Sequence, residues 1–475
     1  MILRRGLWAS VLYLWLLGTS CATRQEVALK YEDLTENAPS AQGLTPNFTS
    51  NRTVVLFLID GLPVSTLKNE LAKRKLPNLD RYFLNGQRTF NLARTVFPSL
   101  TYPSIGALLT ESPVDHSQIW GNTVSENGKQ IDYESFTNYP KLNELLKGKD
   151  IFSRLKAKGL RTVSLDFAFH ADSSVHLVTK DIQSGLSLLD KDYSYVDQKI
   201  ASSLKLLLQD SPPSRWPDFV FVHLVGLDFT SHDDGPESQE AAQYLEFLDH
   251  AMGPVLNILT HVEKSHQRQI VTMLTADHGF DKKVWRVVEI EKIIKKFDSK
   301  ISIINESRFA ALSFPPTLSE EKRAALLTDL ESRPDMDIVA RTTAGHILIQ
   351  GKGLSTSVTY SFQSGCPESD FKIAIQTFGQ TPGQTTPFMC PEALDQSSND
   401  LFDPYFIANL SHYFAAKFHP DAVLIPLPGV AFTNKYEGQH GGPTAAETFV
   451  PLLLRNGRLD TTSGPPPLST ILRFM

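Results

Sequence analysis

The stretch 53-TVVLFLI-59 is a continuous run of β-branched, aliphatic and aromatic residues that ends in Asp60-Gly61. A strand with one wet face alternates polar and apolar positions. A run without that alternation suits a strand buried on both faces, as in the middle of a sheet covered by helices. The pattern recurs along the chain. The stretch 150-DIFSRLKAKG-159 reads as a helix capped by Asp150 and stopped by Gly159, and 161-RTVSLDF-167 as the strand after it. The stretch 195-YVDQKIASSLKLLLQ-209 is helical and 218-DFVFVHLVG-226 is a strand. Across 238–265, Ala241, Tyr244, Leu248, Met252, Val255 and Leu259 recur at helical spacing, and 269-QIVTMLTA-276 is again a strand. Helices alternating with buried strands predict an α/β fold with a central, mostly parallel sheet and helices on both faces.

From about 281 to 435 the pattern changes. The segment 301-ISIINESRFAALSF-314, a helix over 318–332 and 336-MDIVARTTAGHILIQGKG-353 read as a smaller β-α-β-β, α+β insertion. The expected organisation is therefore a signal at 1–22, a polar linker at 23–52, a core at 53–280 and 436–460, and an inserted cap or side subdomain at 281–435. No internal repeat or low-complexity tract is present.

The first residues bear on location. Arg4 and Arg5 precede the apolar run 6-GLWASVLYLWLLGTSCA-22, which is short for a membrane span and is followed at once by polar sequence. Basic start, short apolar run and small-residue exit make an export signal, so the protein is expected in the periplasm, secreted or at the cell envelope. Cys21 sits where a lipidated cysteine would, which gives membrane attachment through a lipid as the alternative to release. Cys366 and Cys390 are the other two cysteines. In an exported chain they favour a disulfide, with two buried thiols as the alternative. The net charge of −6 argues against a nucleic-acid polymer as the main partner.

Ligands of open parallel sheets sit outside the carboxyl ends of the strands. Asp60 follows the first strand. Asp228 and His232 follow the third in 226-GLDFTSH-232. Asp277-His278-Gly279 follows the fourth, and His440 lies between glycines in 438-GQHGG-442. Three carboxylates and three imidazoles suit zinc, or manganese and iron less specifically, and six ligands are enough for two metals with open positions. One more stretch, 94-RTVFPSLTYPSIGALLTESP-113, sets Ser99, Thr101, Tyr102 and Ser104 before a helical apolar run.

The ordered set LIDG, FPSLTYPS, GLDFTSHDDGP, TADHG and GQHG resembles the alkaline phosphatase superfamily, in its type I phosphodiesterase/nucleotide pyrophosphatase branch. The resemblance covers roughly 53–280 and 436–455. It implies one metal site from Asp60, Thr101, Asp277 and His278, and another from Asp228, His232 and His440, both loaded with Zn2+. It implies Thr101 as the nucleophile, at a helix N-terminus beside a metal, with a covalent phosphothreonine that water then cleaves. The substrate it implies is a small phosphorylated molecule such as a nucleotide or phospholipid head group. Two positions depart from the branch. Ser104 stands where an Asn often follows the Thr-aromatic-Pro motif and is expected to give oxyanion support in its place. Pro113-Val114-Asp115-His116-Ser117 lacks the glycine of the family's Pro-x-x-His-Gly. The 211-SPPSR-215 stretch matches a sulfatase nucleophile motif but falls in a proline-rich connection, so it reads as a loop. A phosphomonoesterase, phosphonate hydrolase or phosphoethanolamine transferase on the same scaffold is the alternative to a phosphodiesterase, and a non-catalytic exported binding domain is the remaining one.

Overall fold

The computed structural model describes residues 51–87, 89–126, 129–177, 191–343, 346–351, 354–361, 372–377, 406–417, 420–433, 436–457 and 465–474. The proposed signal, most of the linker, Cys21, Cys366 and Cys390 lie outside the described residues. Among the described residues no helix is long and apolar enough to cross a membrane.

The central sheet has seven strands in the order Asn91–Arg94, Phe449–Arg455, Gln269–Thr275, Arg52–Ile59, Phe219–Leu224, Thr162–Leu165 and Val175–His176. Arg52–Ile59 lies at its middle and runs parallel to both neighbours, with Leu58 opposite His223 and Thr275. Phe449–Arg455 pairs antiparallel with both of its neighbours. This is the mixed α/β fold with a mostly parallel sheet that the buried runs predict. Val55 through Ile59 are almost wholly excluded from solvent, which is why the run carries no polar position.

The helices follow from local sequence. Asp150 accepts from the amide of Ser153 at 2.7 Å and opens the helix Ile151–Ala157. Gly159 beyond its end takes φ +73°, a conformation that costs glycine little. The helix Gln239–Lys264 starts at Ser238, whose hydroxyl accepts from Ala241 N at 3.1 Å. It buries Leu245, Leu248, Met252, Val255, Leu256 and Leu259, each worth roughly 1.5–3 kcal/mol in transfer terms. Tyr244 departs from the expected apolar stripe: its hydroxyl reaches in to Asp197 at 2.9 Å.

The insertion is larger than β-α-β-β. Its sheet has seven antiparallel strands in the order Ser302–Asn305, Ala310–Ser313, Ala422–Pro426, Met336–Thr343, His346–Gly351, Leu354–Ser361 and Lys372–Thr377. The stretch 301–314 is a hairpin, turned at Ser307 with φ +66°. No glycine or proline marks that turn, so the sequence reads through it. Ile338, Ala340, Val423 and Ile425 face the main core, whereas Val339, Ala422 and Leu424 face a second core under the helices Ile290–Phe297 and Glu320–Ser332. The helix Phe406–Ala415 returns to the central domain within the inserted segment, packing Phe406 and Tyr413 against Phe97 at ring distances of 5.4 and 5.6 Å.

A buried ion cluster ties the two sheets together. Arg308, 1% exposed, lies 3.2 Å from Glu447 Oε1 and 3.1 Å from Asp281 Oδ2, and donates to the carbonyl of Val430 at 2.7 Å. Glu447 in turn accepts from Gly442 N at 2.8 Å and caps the short helix Ala445–Thr448 with Thr444. Arg308→Leu leaves two carboxylates buried without a countercharge and is expected to cost about 3–5 kcal/mol in urea unfolding. Lys283→Ala, which breaks an exposed pair with Glu437, is expected to cost under about 1 kcal/mol in the same experiment.

Candidate metal centre

Each predicted ligand sits at the carboxyl edge of the central sheet. Asp60 is the first residue past Arg52–Ile59, and its amide donates to Leu224 O at 2.9 Å, so the ladder ends at the ligand. Gly61 after it has φ +62°, and a Cβ there would meet Phe280 at 2.6 Å and Asp228 Oδ1 at 2.7 Å. Only glycine lets the chain after Asp60 approach Asp228 and Phe280 this closely. Asp228 lies in the first turn of the helix Gly226–Asp234, with His232 one turn further on the same face. Asp197 anchors that helix by accepting from the amides of Val225 and Gly226 at 2.9 and 3.0 Å. Asp277 and His278 follow Gln269–Thr275 and are fully buried. His440 arrives from the far end of the chain. Gly438 passes so near Ser231 that a Cβ would lie 2.2 Å from its carbonyl oxygen.

The ligands gather into two groups: Asp60, Asp277 and His278, and Asp228, His232 and His440. The rings of His278 and His440 stack at 3.6 Å, so the two groups are neighbours. In the first, His278 Nε2 lies 3.4 Å from Asp60 Oδ1 and 3.2 Å from Asp277 Oδ2. In the second, His232 Nε2 lies 3.4 Å from Asp228 Oδ2 and 3.0 Å from His440 Nε2.

Two observations test whether a cation fits. The first is the orientation of the imidazoles. Nδ1 of His232, His278 and His440 faces the carbonyls of Gly438, Gly279 and Ser99 at 2.8, 3.1 and 3.0 Å. A carbonyl only accepts, so each Nδ1 carries the proton and each Nε2 presents a lone pair. Two lone pairs 3.0 Å apart repel unless a cation lies between them. Burial, with the neighbouring imidazoles, holds His440 well below its ordinary pKa, and burial holds His278 down at about 4. The second observation is on the carboxylates. Asp60 Oδ1, Asp228 Oδ1 and Asp277 Oδ2 are buried without a hydrogen bond, one oxygen from each aspartate. Burial and the Asp60 charge push Asp228 and Asp277 well above the usual carboxylate range. Buried acceptors left unpaired are costly, and converging hard oxygens and imidazole nitrogens are the donor set of a divalent metal.

Thr101 is the first residue of the helix Thr101–Thr110, after Leu100, and not its N-cap. Its Oγ1 lies 3.2 Å from His278 Nε2. It is half-buried while the following residues of the helix are buried, which places a hydroxyl at the mouth of the first group. Ser104, one turn on, is fully buried, and its hydroxyl accepts from Thr95 Oγ1 at 2.7 Å. The 211–215 stretch forms a turn ahead of Phe219–Leu224, at the amino end of a strand whose carboxyl end carries the ligands.

Asn122, Glu134, Glu306, His223 and Asp166 escaped the sequence reading. Asn122 Oδ1 accepts from the amide of Tyr102 at 3.2 Å, and its Nδ2 lies 3.4 Å from Glu134 Oε1. Thr123 N donates to Glu306 Oε1 at 2.6 Å. Two glutamates, one from the insertion, therefore flank the segment beside Thr101. Burial, then the Glu134 charge, push Glu306 up to about 8. His223 Nε2 lies 2.9 Å from Asp60 Oδ2, and its Nδ1 bonds Asp166 Oδ2. Burial would lower His223, but the two carboxylates outweigh it and raise its pKa well above the ordinary value. The same imidazole outweighs burial at Asp60 and lowers that carboxyl. Only the third-strand pattern around 218–226 pointed at His223, and as an apolar core position.

A family model, type I phosphodiesterase/nucleotide pyrophosphatase, matches residues 54–448. Venom phosphodiesterase 2 of Crotalus adamanteus is 22% identical over 231 residues, which is 48% of this chain and 27% of that protein. The catalytic subunit of human GPI ethanolamine phosphate transferase 2 is 25% identical over 230 residues, 48% of this chain and 21% of that one. The chain thus spans about a quarter of the length of these relatives. Among solved structures, phosphonoacetate hydrolase from Sinorhizobium meliloti 1021 superposes with a TM-score of 0.56 at 14% identity, covering 89% of this chain and 94% of that one. Murine ectonucleotide pyrophosphatase/phosphodiesterase 5 gives 0.56 at 15%, covering 88% and 94%. With the family model covering most of the chain, the chain belongs to the type I phosphodiesterase/nucleotide pyrophosphatase family.

Proposed function

We propose that this protein is an exported hydrolase of phosphodiesters or phosphoric anhydrides that works through Thr101. The observation that carries the reading is the placement of Thr101 Oγ1, 3.2 Å from a ligand imidazole and at the first position of a helix. Asp60, Thr101, Asp277 and His278 would hold one Zn2+, and Asp228, His232 and His440 the other. When bound, the two cations lower the cost of the Thr101 alkoxide and offset charge on the phosphoryl oxygens. Manganese or iron also suits these donors.

Thr101 Oγ1 gives up its proton to solvent as it bonds to phosphorus, and the leaving oxygen departs with its electron pair and takes up a proton. Water then attacks the phosphothreonine, the Oγ1–P bond breaks, and the hydroxyl is restored. Asn122, held through its Oδ1 by the Tyr102 amide and with one Nδ2 proton toward Glu134, would donate its second Nδ2 proton to a phosphoryl oxygen. Ser104, committed to Thr95, supports the helix from below and takes the oxyanion role only if its own proton points outward. The turn at 305–309 and the segment 133–139 would line the leaving-group side, which makes the 281–435 insertion a side wall more than a lid.

Glu134 and Glu306 favour a diester over a monoester. A monoester brings a second negative charge to a wall that carries the Glu134 carboxylate, joined by Glu306 above about pH 8, whereas a diester brings one. The structure of murine ectonucleotide pyrophosphatase/phosphodiesterase 5 with AMP makes a nucleotide a natural first substrate to try. The residue pattern at 1–22 supports action outside the cytoplasm, either free or held by a lipid at Cys21.

The zinc-loaded protein is expected to cleave bis-p-nitrophenyl phosphate faster than p-nitrophenyl phosphate at mildly alkaline pH. Preference for the monoester shifts the assignment to a phosphatase. Activity on neither, with transfer of phosphoethanolamine to an acceptor alcohol, shifts it to a transferase. Thr101→Ala is expected to lower kcat by on the order of 10³-fold or more with zinc still bound, and Asn122→Ala by about 10²-fold. Near-normal turnover in either removes that residue from its role. His440→Ala is expected to lose one of two zinc ions by elemental analysis, and an unchanged content takes His440 out of the ligand set.

A further inference from the structure

The central sheet places three side chains in a row. Its order runs Arg52–Ile59, Phe219–Leu224, Thr162–Leu165, all parallel. Asp60 follows the first strand and Asp166 the third, and His223 stands near the end of the strand between them. Neighbouring strands lie about 4.8 Å apart, so one imidazole bridges the two carboxylates across the middle strand. All three side chains are buried, with Asp166 1% exposed and Asp60 and His223 each 5%. Asp166 is itself fixed: its Oδ1 accepts from the amides of Ala168, at 2.6 Å, and Phe169.

We infer that His223 and Asp166 are positioning residues that hold Asp60 with its Oδ1 turned to the first cation site. The inference rests on the two-cation reading above. An aspartate carboxylate rotates in a broad, two-fold well, so packing alone sets its plane poorly. A donor on one oxygen sets it. His223 occupies Oδ2, and Oδ1 is the oxygen left without a hydrogen bond. Asp277 shows the same device with a different donor. Gly61 N takes its Oδ1 at 3.1 Å and Oδ2 is the unpaired oxygen. The three ligand imidazoles are likewise fixed through one nitrogen by a carbonyl. In the first group Asp60 is the ligand whose orientation depends on another side chain, and that side chain depends on Asp166. Groups one step behind a ligand typically change metal affinity by about 10–100-fold when removed.

Two substitutions at one position separate positioning from bulk stability. A glutamine amide nitrogen reaches about where Nε2 stands, and an asparagine amide reaches only about as far as Nδ1. His223→Gln therefore keeps a donor for Asp60 and gives up Asp166, whereas His223→Asn does the reverse. Both remove the ring and its charge. Zinc affinity is read by competition with a chromophoric chelator, with no substrate present, alongside thermal midpoints by circular dichroism. For His223→Asn, one of the two zinc affinities is expected to fall at least about tenfold while the other holds. For His223→Gln, which keeps a donor on Asp60 but loses the hold of Asp166 on that donor, the same affinity is expected to fall less than in the asparagine variant. Equal losses in the two variants, or no loss in either, overturn the inference. If either variant does not fold, Asp166→Ala enters the same assay. A loss of about tenfold at one site supports the inference and an unchanged affinity overturns it. Wild-type protein that binds no zinc removes the two-cation reading and the inference together. Two zinc ions bound with wild-type strength in the asparagine variant remove only the inference.

Discussion

Three aspartates, Asp60, Asp228 and Asp277, are buried side by side at the carboxyl edge of the central sheet, and their mutual repulsion is the constraint around which the centre is built. The fold meets part of it with its own groups. His223 shares a charge with Asp60, and the Gly61 amide takes one oxygen of Asp277. One oxygen of each remains unpaired, and the imidazoles of His232, His278 and His440 add lone pairs to the same small volume. Divalent cations would resolve both problems together. The sheet tolerates this because its strand ends, unlike its interior, open to the loops that bring His440 and Thr101.

That arrangement depends on the position of a distant segment. His440 belongs to a loop whose next residues are held by Glu447, and Glu447 is held by Arg308 from the inserted sheet. Asp281, three residues past His278, shares the same guanidinium. One buried arginine thus connects the insertion to the loops after both late ligands. The insertion is a structural partner of the centre, with one face of its sheet continuous with the main core. Its turn at 305–309 also brings Glu306 to the segment beside Thr101, where it accepts from the amide of Thr123.

Much of this was legible in the chain because strand ends and metal ligands leave local marks. The run before Asp60, the helical spacing of Asp228 and His232 and the glycines around His440 each carry a physical reason that the structure supplies. Gly61 and Gly438 are glycines because a Cβ would strike the helix Gly226–Asp234. Other features leave no local mark. Asn122 is one polar residue in a loop, and its tie to the Tyr102 amide is long-range. His223 reads as a core position, and its meaning comes from strand order. The turn at Ser307 lacks a glycine, so a hairpin read as one strand. Ser104 was placed by analogy with a neighbouring motif, and its bond to Thr95 is visible only in the packed helix.

The central claim is that Thr101 attacks phosphorus and is released in a second displacement. The stereochemical course of hydrolysis tests it most directly, with a nitrophenyl diester chiral at phosphorus and isotopically labelled water. Two in-line displacements predict net retention of configuration. Net inversion would mean that water attacks the substrate directly and would contradict a covalent phosphothreonine.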